Sequence, residues 1–509
     1  MIGASKELAS AVTIWPEPHE QIEVSAPFTG APLGSLPSVT EADVELALSL
    51  ARRSQPAWAA TPFRERARIF LRFHDLLLDR QSEVLDLIQL ETGKARAHAF
   101  EEVLDAAVVA RYYARRAGGF LRPRTRRGAL PLLTRTHEHR VPVGVVGFIT
   151  PWNFPLTLGI TDAIAALLAG NTAVLKPDPQ TSFTALWTLR LLREAGLPAG
   201  VLLIVTGGPA AGRALAERAD YVMFTGSSAV GRQIAAAAGR RLVGCSVELG
   251  GKNPMIVLSD ANLAATVEGA VRACFAGAGQ VCISIERIYV HESIFAAFVE
   301  AFAARTRAIR LGAAFDYSME VGSLTTAAQL RKVEEHVADA AAQGATIRAG
   351  GRHRPDLGPL FFEPTVLTGV REGMRVFAEE TFGPVVSVYP FANESEAVKL
   401  ANATPFGLSA SIWTRDTRKG ARLAREIRAG SVNINEGYSA AWGSVDSPVG
   451  GMKESGLVPR HGAEGILKFT QSQTIAIQRL MPIAPSHGMS QDFFARWMTR
   501  LVRLLRHIS

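Results

Sequence analysis

Cysteine is scarce: Cys245, Cys274 and Cys282 are the only three in 509 residues. Three thiols cannot build a disulfide framework, so stability must come from a buried core, and a required thiol suits a reducing compartment. Met1–Ser10 lacks the apolar core of a secretory signal. No stretch offers the roughly 20 uninterrupted apolar residues of a membrane-spanning helix. Zinc-ligand spacing and nucleic-acid-binding motifs are missing, as are internal repeats and low-complexity tracts. No metal and no nucleic acid is therefore expected as a partner, and the expected location is cytoplasmic.

What is present is a globular composition, 48% apolar and 20% charged. The chain is long for one core, so two or three domains are expected. The net charge of +8 is unevenly placed. Arg122, Arg124, Arg126, Arg127, Arg135 and Arg140 form one basic cluster, and the C-terminal tail forms another. The plain reading is solvated surface charge; the sharper one is attraction for phosphate or anionic lipid.

Residues 20–40, rich in Pro, Gly and Ser, read as a leading arm with short strands. Apolar spacing predicts helices over 40–57, 63–92 and 100–118. Residues 122–140 carry the pattern of an exposed β-hairpin. From Val143, strand-like runs (143–149, 172–175, 201–205, 221–224) alternate with helical ones (160–168, 184–195, 210–218). That βαβ alternation marks a parallel doubly wound sheet. It restarts after Gly250, with strands near 255–257, after Cys282, and at 385–389 and 409–413. Helices are expected there over 263–275 and 327–343. Near Gly450 the chain returns to the first domain.

Three motifs carry chemistry. Gly279-Gln280-Val281-Cys282 follows a glycine turn and precedes a strand-like run. Val247-Glu248-Leu249-Gly250-Gly251-Lys252 sets a carboxylate between an apolar residue and a glycine pair. Pro151-Trp152-Asn153-Phe154-Pro155 holds an asparagine between prolines. Singly, each has a plain explanation: a small buried thiol, a paired surface glutamate, a turn. Together they offer a nucleophile, a base and an oxyanion donor. A free thiol has a pKa of about 8.5, so little thiolate exists at neutral pH unless the site lowers it. Cys245 and Cys274 read as inert buried thiols.

In this order and spacing the motifs resemble the aldehyde dehydrogenase superfamily, from about residue 20 to about residue 478. The resemblance implies an α/β fold: a doubly wound parallel-sheet dinucleotide-binding domain, a second α/β catalytic domain and a small β oligomerisation segment. The expected division is 1–121 and 143–249 with 450–472 for the cofactor, 250–449 for catalysis, 122–142 and 473–483 for assembly, and 484–509 as a tail. It also implies Cys282 as nucleophile, Glu248 as the base that activates water and Asn153 as oxyanion donor. Cofactor residues by the same resemblance are Trp152, Lys176, Gly226, Ser227, Gly231, Leu249, Gly250, Glu380 and Phe382. Many members that prefer NAD carry Glu three positions after the lysine; here Pro179 stands there. NADP is thus the expected cofactor, with NAD accepted, and a homodimer or homotetramer the expected assembly.

The phrasing is most similar to the succinate-semialdehyde dehydrogenase branch. Two arginines that bind the substrate carboxylate there are replaced here: the helix after the asparagine motif offers Thr161 and Asp162, and Ala276 precedes the nucleophile by six positions. Ser284 stands where some members have a second cysteine. Tyr438 and Trp442, in the segment 436–447, are expected at the substrate mouth and suit apolar or aromatic aldehydes. Two other readings stay open: a relative that passes the thioester to coenzyme A, and a structural protein that lost catalysis. In the tail, Phe494, Trp497, Met498, Leu501, Val502, Leu504 and Leu505 are expected on one helix face and Arg496, Arg500, Arg503, Arg506 and His507 on the other. Such a helix either docks on protein or touches an anionic membrane surface.

Overall fold

The computed structural model describes residues 20–130, 133–479 and 482–506, with residues 7, 8 and 12 besides. Five parallel strands start the main architecture: Val145–Ile149, Thr172–Lys176, Leu202–Ile204, Tyr221–Thr225 and Gly244–Glu248. Numbered along the chain, they lie in the order 3-2-1-4-5. Each is almost continuously apolar because helices cover both faces of the sheet. The order reverses between Val145–Ile149 and Tyr221–Thr225, and ligands of such sheets bind outside the strand ends at that switch point. A late segment closes the edge: Gly456–Leu457 pairs antiparallel with Gly244–Glu248.

The second sheet has seven strands, in the order Thr346–Ala349, Thr365–Thr368, Val385–Phe391, Ile285–His291, Asn253–Val257, Ser409–Trp413 and Ser431–Ile434. All neighbours are parallel except the first pair. Four residues separate Glu248, ending the last parallel strand of one sheet, from Asn253, beginning a central strand of the other. The junction therefore brings the two sheets together at the glutamate and, across it, at Cys282.

The leading arm forms a strand pair, Gln21–Ser25 with Pro32–Pro37. Helix Glu41–Ala60 follows, opened by a capping box between Thr40 and Asp43. The helix expected over 63–92 is two, Phe63–Asp79 and Gln81–Thr92, divided at Arg80 (φ −108°, ψ 21°). No helix breaker marks that position. The first half packs along the long helix Arg96–Leu121 and the second turns onto helix Ser182–Glu194, so tertiary packing makes the corner. The basic hairpin consists of Arg124–Arg127 and Thr134–Pro142, and Thr470–Gln478 adds a third antiparallel strand. The tail helix spans Gln491–Leu505 and buries no residue. Phe494, Trp497, Met498, Leu501 and Leu505 form a partly covered stripe. Val502 and Leu504, expected on that face, are 58% and 67% exposed: the hundred degrees between successive helix positions carries them off the stripe. His507 lies outside the described residues.

Candidate active site

The cysteine sits on a strained turn. Helix Leu263–Phe275 ends in Ala276–Gly279, and the strand Ile285–His291 begins shortly after. Gly277, Ala278 and Gly279 are all left-handed, at φ 55°, 57° and 71°. Only glycine fits at 279, where a Cβ would meet the Gly383 carbonyl oxygen at 2.1 Å. Ala278 adopts the conformation despite its Cβ, a strain on the order of 1 kcal/mol that the surroundings must hold. They do so by hydrogen bonds. Gly277 N–H donates to His98 Nδ1 at 3.1 Å, and Thr325 N–H donates to the Gln280 side chain at 3.0 Å. Asn153 Nδ2 donates to the Gln280 carbonyl at 2.9 Å, and Asn253 Nδ2 to the Cys282 carbonyl at 2.8 Å. Asn153 and Cys282 are thus brought together through Gln280.

Cys282 is partly exposed, and so is Cys245, which was expected to be buried; Cys274 is buried. The site does not lower the thiol pKa. Burial pushes Cys282 up to about 12, and the carboxylates of Glu248 and Glu380 add to the effect while Arg460 opposes it. The thiol is therefore neutral in the ligand-free protein.

Glu248 is buried, and its Oε1 has no hydrogen-bond partner. Burial raises its pKa to about 7; Arg460 and Lys468 pull it down and Asp162 pushes it up. These three belong to one buried ionic cluster. Asp162 Oδ2 lies 3.4 Å from Arg460 Nη2, and its Oδ1 lies 3.1 Å from Lys468 Nζ. Arg460 also lies over the Trp442 ring, 5.4 Å from its centroid. The helix position that lacks the expected arginine thus carries an acid, and that acid pairs with an arginine of the returning segment.

At the switch point lies a cleft of about 670 Å³ lined by Trp152, Lys176, Pro179, Gly226 and Ser227, among others. Lys176 ends its strand, buried, with its pKa lowered by desolvation and partly restored by Asp178. Arg213 and Arg240 also line the cleft, as does Glu217. Ser227 caps helix Ser228–Arg240, so a helix start with free N–H groups points toward the cleft. Gly231 permits contact with Leu249: a Cβ there would meet the leucine at 2.4 Å. At Gly250 a Cβ would meet the Glu380 carboxylate at 2.6 Å, and Glu380 accepts from Gly251 N–H at 2.8 Å. Burial holds Glu380 up to about 7. Phe382 stands edge-on to Trp152 with centroids 5.6 Å apart. Trp152 therefore spans from the cleft to the Glu380-Thr381-Phe382 segment.

On the other side of Cys282 is a small pocket walled by Phe154, Leu158, Val281, Ile283, Tyr438 and Trp442. Tyr438 and Trp442 stand where the substrate mouth was expected. Glu101, Asp105 and Thr157 complete the wall, and neither acid was singled out from the sequence. Tyr438 OH donates to Glu101 Oε2 at 3.1 Å, and Trp442 Nε1 donates to Asp105 Oδ1 at 2.9 Å. Glu286 was missed too. It accepts from Lys252 Nζ and from the N–H groups of Thr381 and Phe382, and so fixes the segment that carries Glu380. A lone glutamate inside an apolar strand was the available signal. Among the described residues no group of three His, Cys, Asp or Glu side chains could hold a metal ion.

A cleft at a doubly wound switch point, with a cysteine turn in the neighbouring α/β unit, defines the class: a nucleotide-dependent enzyme built from two α/β units. Comparison with known proteins supplies the family. The aldehyde dehydrogenase family pattern matches residues 15–475. A Mycobacterium tuberculosis (strain H37Rv) protein, provisionally named an NADP(+) succinate-semialdehyde dehydrogenase, is 50% identical over 94% of this chain and 92% of its own. An Escherichia coli NADP-dependent enzyme is similar in structure, with TM-score 0.86 and 36% identity over 90% of this chain and 95% of its own. PnpE from Pseudomonas sp. WBC-3, also solved with nicotinamide adenine dinucleotide, gives TM-score 0.87 and 35% identity over 92% of this chain and 96% of its own. The chain belongs to the aldehyde dehydrogenase family, and it is an oxidoreductase of the NAD(P)-dependent kind.

Proposed function

We propose that the protein oxidises an aldehyde to its carboxylic acid with NADP, NAD being accepted as well, through a thioester on Cys282. The observation that carries this reading is the meeting of three groups. A cysteine on a strained turn opens to an apolar pocket, Asn153 is tied to the same turn, and a glutamate poised near pH 7 stands within electrostatic reach.

The thiol enters neutral. As its sulfur bonds to the aldehyde carbon, its proton leaves to a base, and Glu248 is the ionisable group suited to take it. The developing alkoxide is held by the remaining N–H of the Asn153 amide and by the Cys282 backbone N–H. Losing one such donor typically costs roughly 2.7–4 kcal/mol of barrier. Bound nicotinamide supplies the acceptor for the hydride that leaves the aldehyde carbon. Glu248 releases the thiol proton to solvent and is again a base; it then takes a proton from water, the water oxygen bonds to the carbonyl carbon, the C–S bond breaks, and the proton passes from Glu248 to the departing sulfur, releasing acid and thiol. Intact Glu248 favours this outcome over transfer to coenzyme A.

The cleft fits a dinucleotide. Ser227 and the helix start would hold the pyrophosphate, Gly226, Gly231, Leu249 and Gly250 allow close backbone approach, and Glu380 would hold the nicotinamide ribose. Lys176, with Pro179 in place of an acid, favours the 2′-phosphate of NADP, the cofactor named for the mycobacterial relative. Succinate semialdehyde, from the same name, heads the aldehydes to test. The apolar pocket wall favours a second reading, apolar or aromatic aldehydes. An aldehyde panel with each cofactor, read by absorbance of the reduced nicotinamide, decides: no reduction with any aldehyde ends the proposal.

The residue ranges 1–121, 143–249 and 450–472 are taken as the cofactor unit, and 250–449 as the catalytic one. Assembly into a homodimer or homotetramer is assigned to the three-stranded sheet, where Ile475 and Ile477 are 43% and 49% exposed. A reducing, cytoplasmic setting suits the free thiols. No helix among the described residues is long and apolar enough to cross a membrane. The tail helix, with its apolar stripe and arginines, is assigned to peripheral contact, with protein or with anionic lipid.

A further inference from the structure

The start of helix Arg96–Leu121 holds both loops that meet at the thiol. His98 and Glu102 stand one turn apart on it, so they share a face, and both are buried. Glu102 accepts from the N–H groups of Leu156 and Thr157 at 2.9 and 3.1 Å. Lys94, in the chain that enters the helix, lies 2.6 Å from Glu102 and donates to the Asn153 carbonyl at 2.6 Å. That buried pair therefore fixes the loop of the oxyanion donor. His98 reaches the other loop: its Nδ1 accepts from Gly277 N–H at 3.1 Å.

The direction of that bond sets the state of the ring. A backbone N–H can only donate, so Nδ1 is the bare nitrogen and Nε2 carries the proton. Burial, helped by the Lys94 charge, holds the pKa of His98 down to about 4, so the ring stays a neutral acceptor at working pH. Among the described residues Gly277 N–H finds no other acceptor. Gly277 is buried, and a buried N–H left unmet is costly enough to move the chain that carries it. Gly277 also opens the left-handed run that leads through Gly279 and Gln280 to Cys282. A shift at its start is passed to the sulfur and to the Gln280 carbonyl, on which Asn153 Nδ2 rests.

We propose that His98 is a positioning residue: through Gly277 it sets where Cys282 stands relative to Asn153. The same helix start, through Lys94 and Glu102, sets where Asn153 stands, so one element keeps nucleophile and oxyanion donor in register across the two α/β units. His98 lines neither the cleft nor the pocket; it lies against a separate groove with Phe275 and Ala276. It therefore acts through the turn and not on the substrate or the cofactor. This assignment rests on the aldehyde-oxidation reading above.

Three substitutions at this position separate the acceptor from the bulk of the ring. His98→Asn puts a carbonyl oxygen where Nδ1 stands, one bond from Cγ. His98→Gln carries its oxygen one bond farther out, and His98→Leu fills space without an acceptor. Each full-length variant is mixed rapidly with saturating NADP and a limiting amount of the best aldehyde of the panel. A single turnover then reports attack by Cys282 and hydride loss, whatever the rate of hydrolysis. His98→Leu and His98→Gln should slow it by about tenfold to a hundredfold, and His98→Asn should stay within about threefold of the unmodified protein. NADP affinity, measured by equilibrium titration, should be unchanged in all three. Lost packing alone would not rank asparagine above glutamine and leucine. If His98→Leu fails to fold, the comparison of Asn with Gln carries the test by itself. The assignment is overturned if Gln reacts as fast as Asn, if a folded Leu variant matches the unmodified protein, or if the loss lies in NADP affinity and not in the turnover rate. Failure of the underlying reading looks different: the unmodified protein reduces neither NADP nor NAD with any aldehyde, and the assignment falls with it.

Discussion

The cleft at the switch point and the pocket at Cys282 differ in size and in lining. The cleft is walled by residues of both signs, Lys176, Arg213 and Arg240 with Asp178 and Glu217, and at about 670 Å³ it has room for an extended ligand. The pocket on the other side is narrow and aromatic, and its charged residues are Glu101 and Asp105. Two acids differ as well: Glu380 accepts from Gly251 N–H, whereas Glu248 Oε1 is buried without a partner, and the proposed roles of holding group and base rest on that difference.

The largest effect should come from removing the sulfur of Cys282, which lines the pocket and not the cleft. Cys282→Ala should lower aldehyde oxidation by a factor of about a thousand or more, while equilibrium binding of NADP to the cleft is preserved. Lost binding in that variant would mean the two spaces are not separable.

A smaller effect concerns pH. Glu248 works as a base only when ionised, and its pKa is raised to about 7. Activity should therefore climb as pH rises through about 7 and fall away below it. Arg460 favours the ionised form, so Arg460→Met should move this limb of the pH profile to higher pH. A limb that stays in place would detach the ionic cluster of Asp162, Arg460 and Lys468 from the base.

The cofactor side should respond more modestly. Lys176→Ala should cost NADP more than NAD, by about tenfold in the ratio of kcat/KM values. Pro179→Glu should shift preference the same way by repelling the 2′-phosphate. Paired kinetics with both cofactors check this, and a parent protein that strongly prefers NAD contradicts it. The smallest effect is expected at the tail. Truncation after Gln491 should leave oxidation intact, because no residue of the cleft or the pocket lies beyond it. Co-sedimentation of the full chain with anionic vesicles at low and high salt separates lipid contact, which salt weakens, from docking on protein.

Much of the layout was legible in the sequence because buried parallel strands are nearly continuous apolar runs. Thr172–Lys176 and Ser409–Trp413 could be placed within a residue of their ends. The Cys282, Glu248 and Asn153 motifs were legible because their neighbours, glycines and prolines, are dictated by backbone conformation. Glu101 and Asp105 were not. They sit in a helix whose pattern is ordinary, and their meaning arises when Tyr438 and Trp442, from a distant segment, close over them. Arg460 was hidden for the same reason: it reaches Asp162 from the returning chain, a pairing that no local pattern in either segment announces. The corner at Arg80 was likewise invisible, since packing and not propensity makes it.

The most direct test of the account separates acylation from hydrolysis. In Glu248→Gln, mixed rapidly with NADP and a reactive aldehyde, reduced cofactor should appear in a burst of about one equivalent per site and then nearly stop. Mass spectrometry of the stalled protein should find the acyl group on the peptide that contains Cys282. Full steady turnover by this variant, or an adduct on Cys245 or Cys274 instead, would contradict the assignment of nucleophile and base.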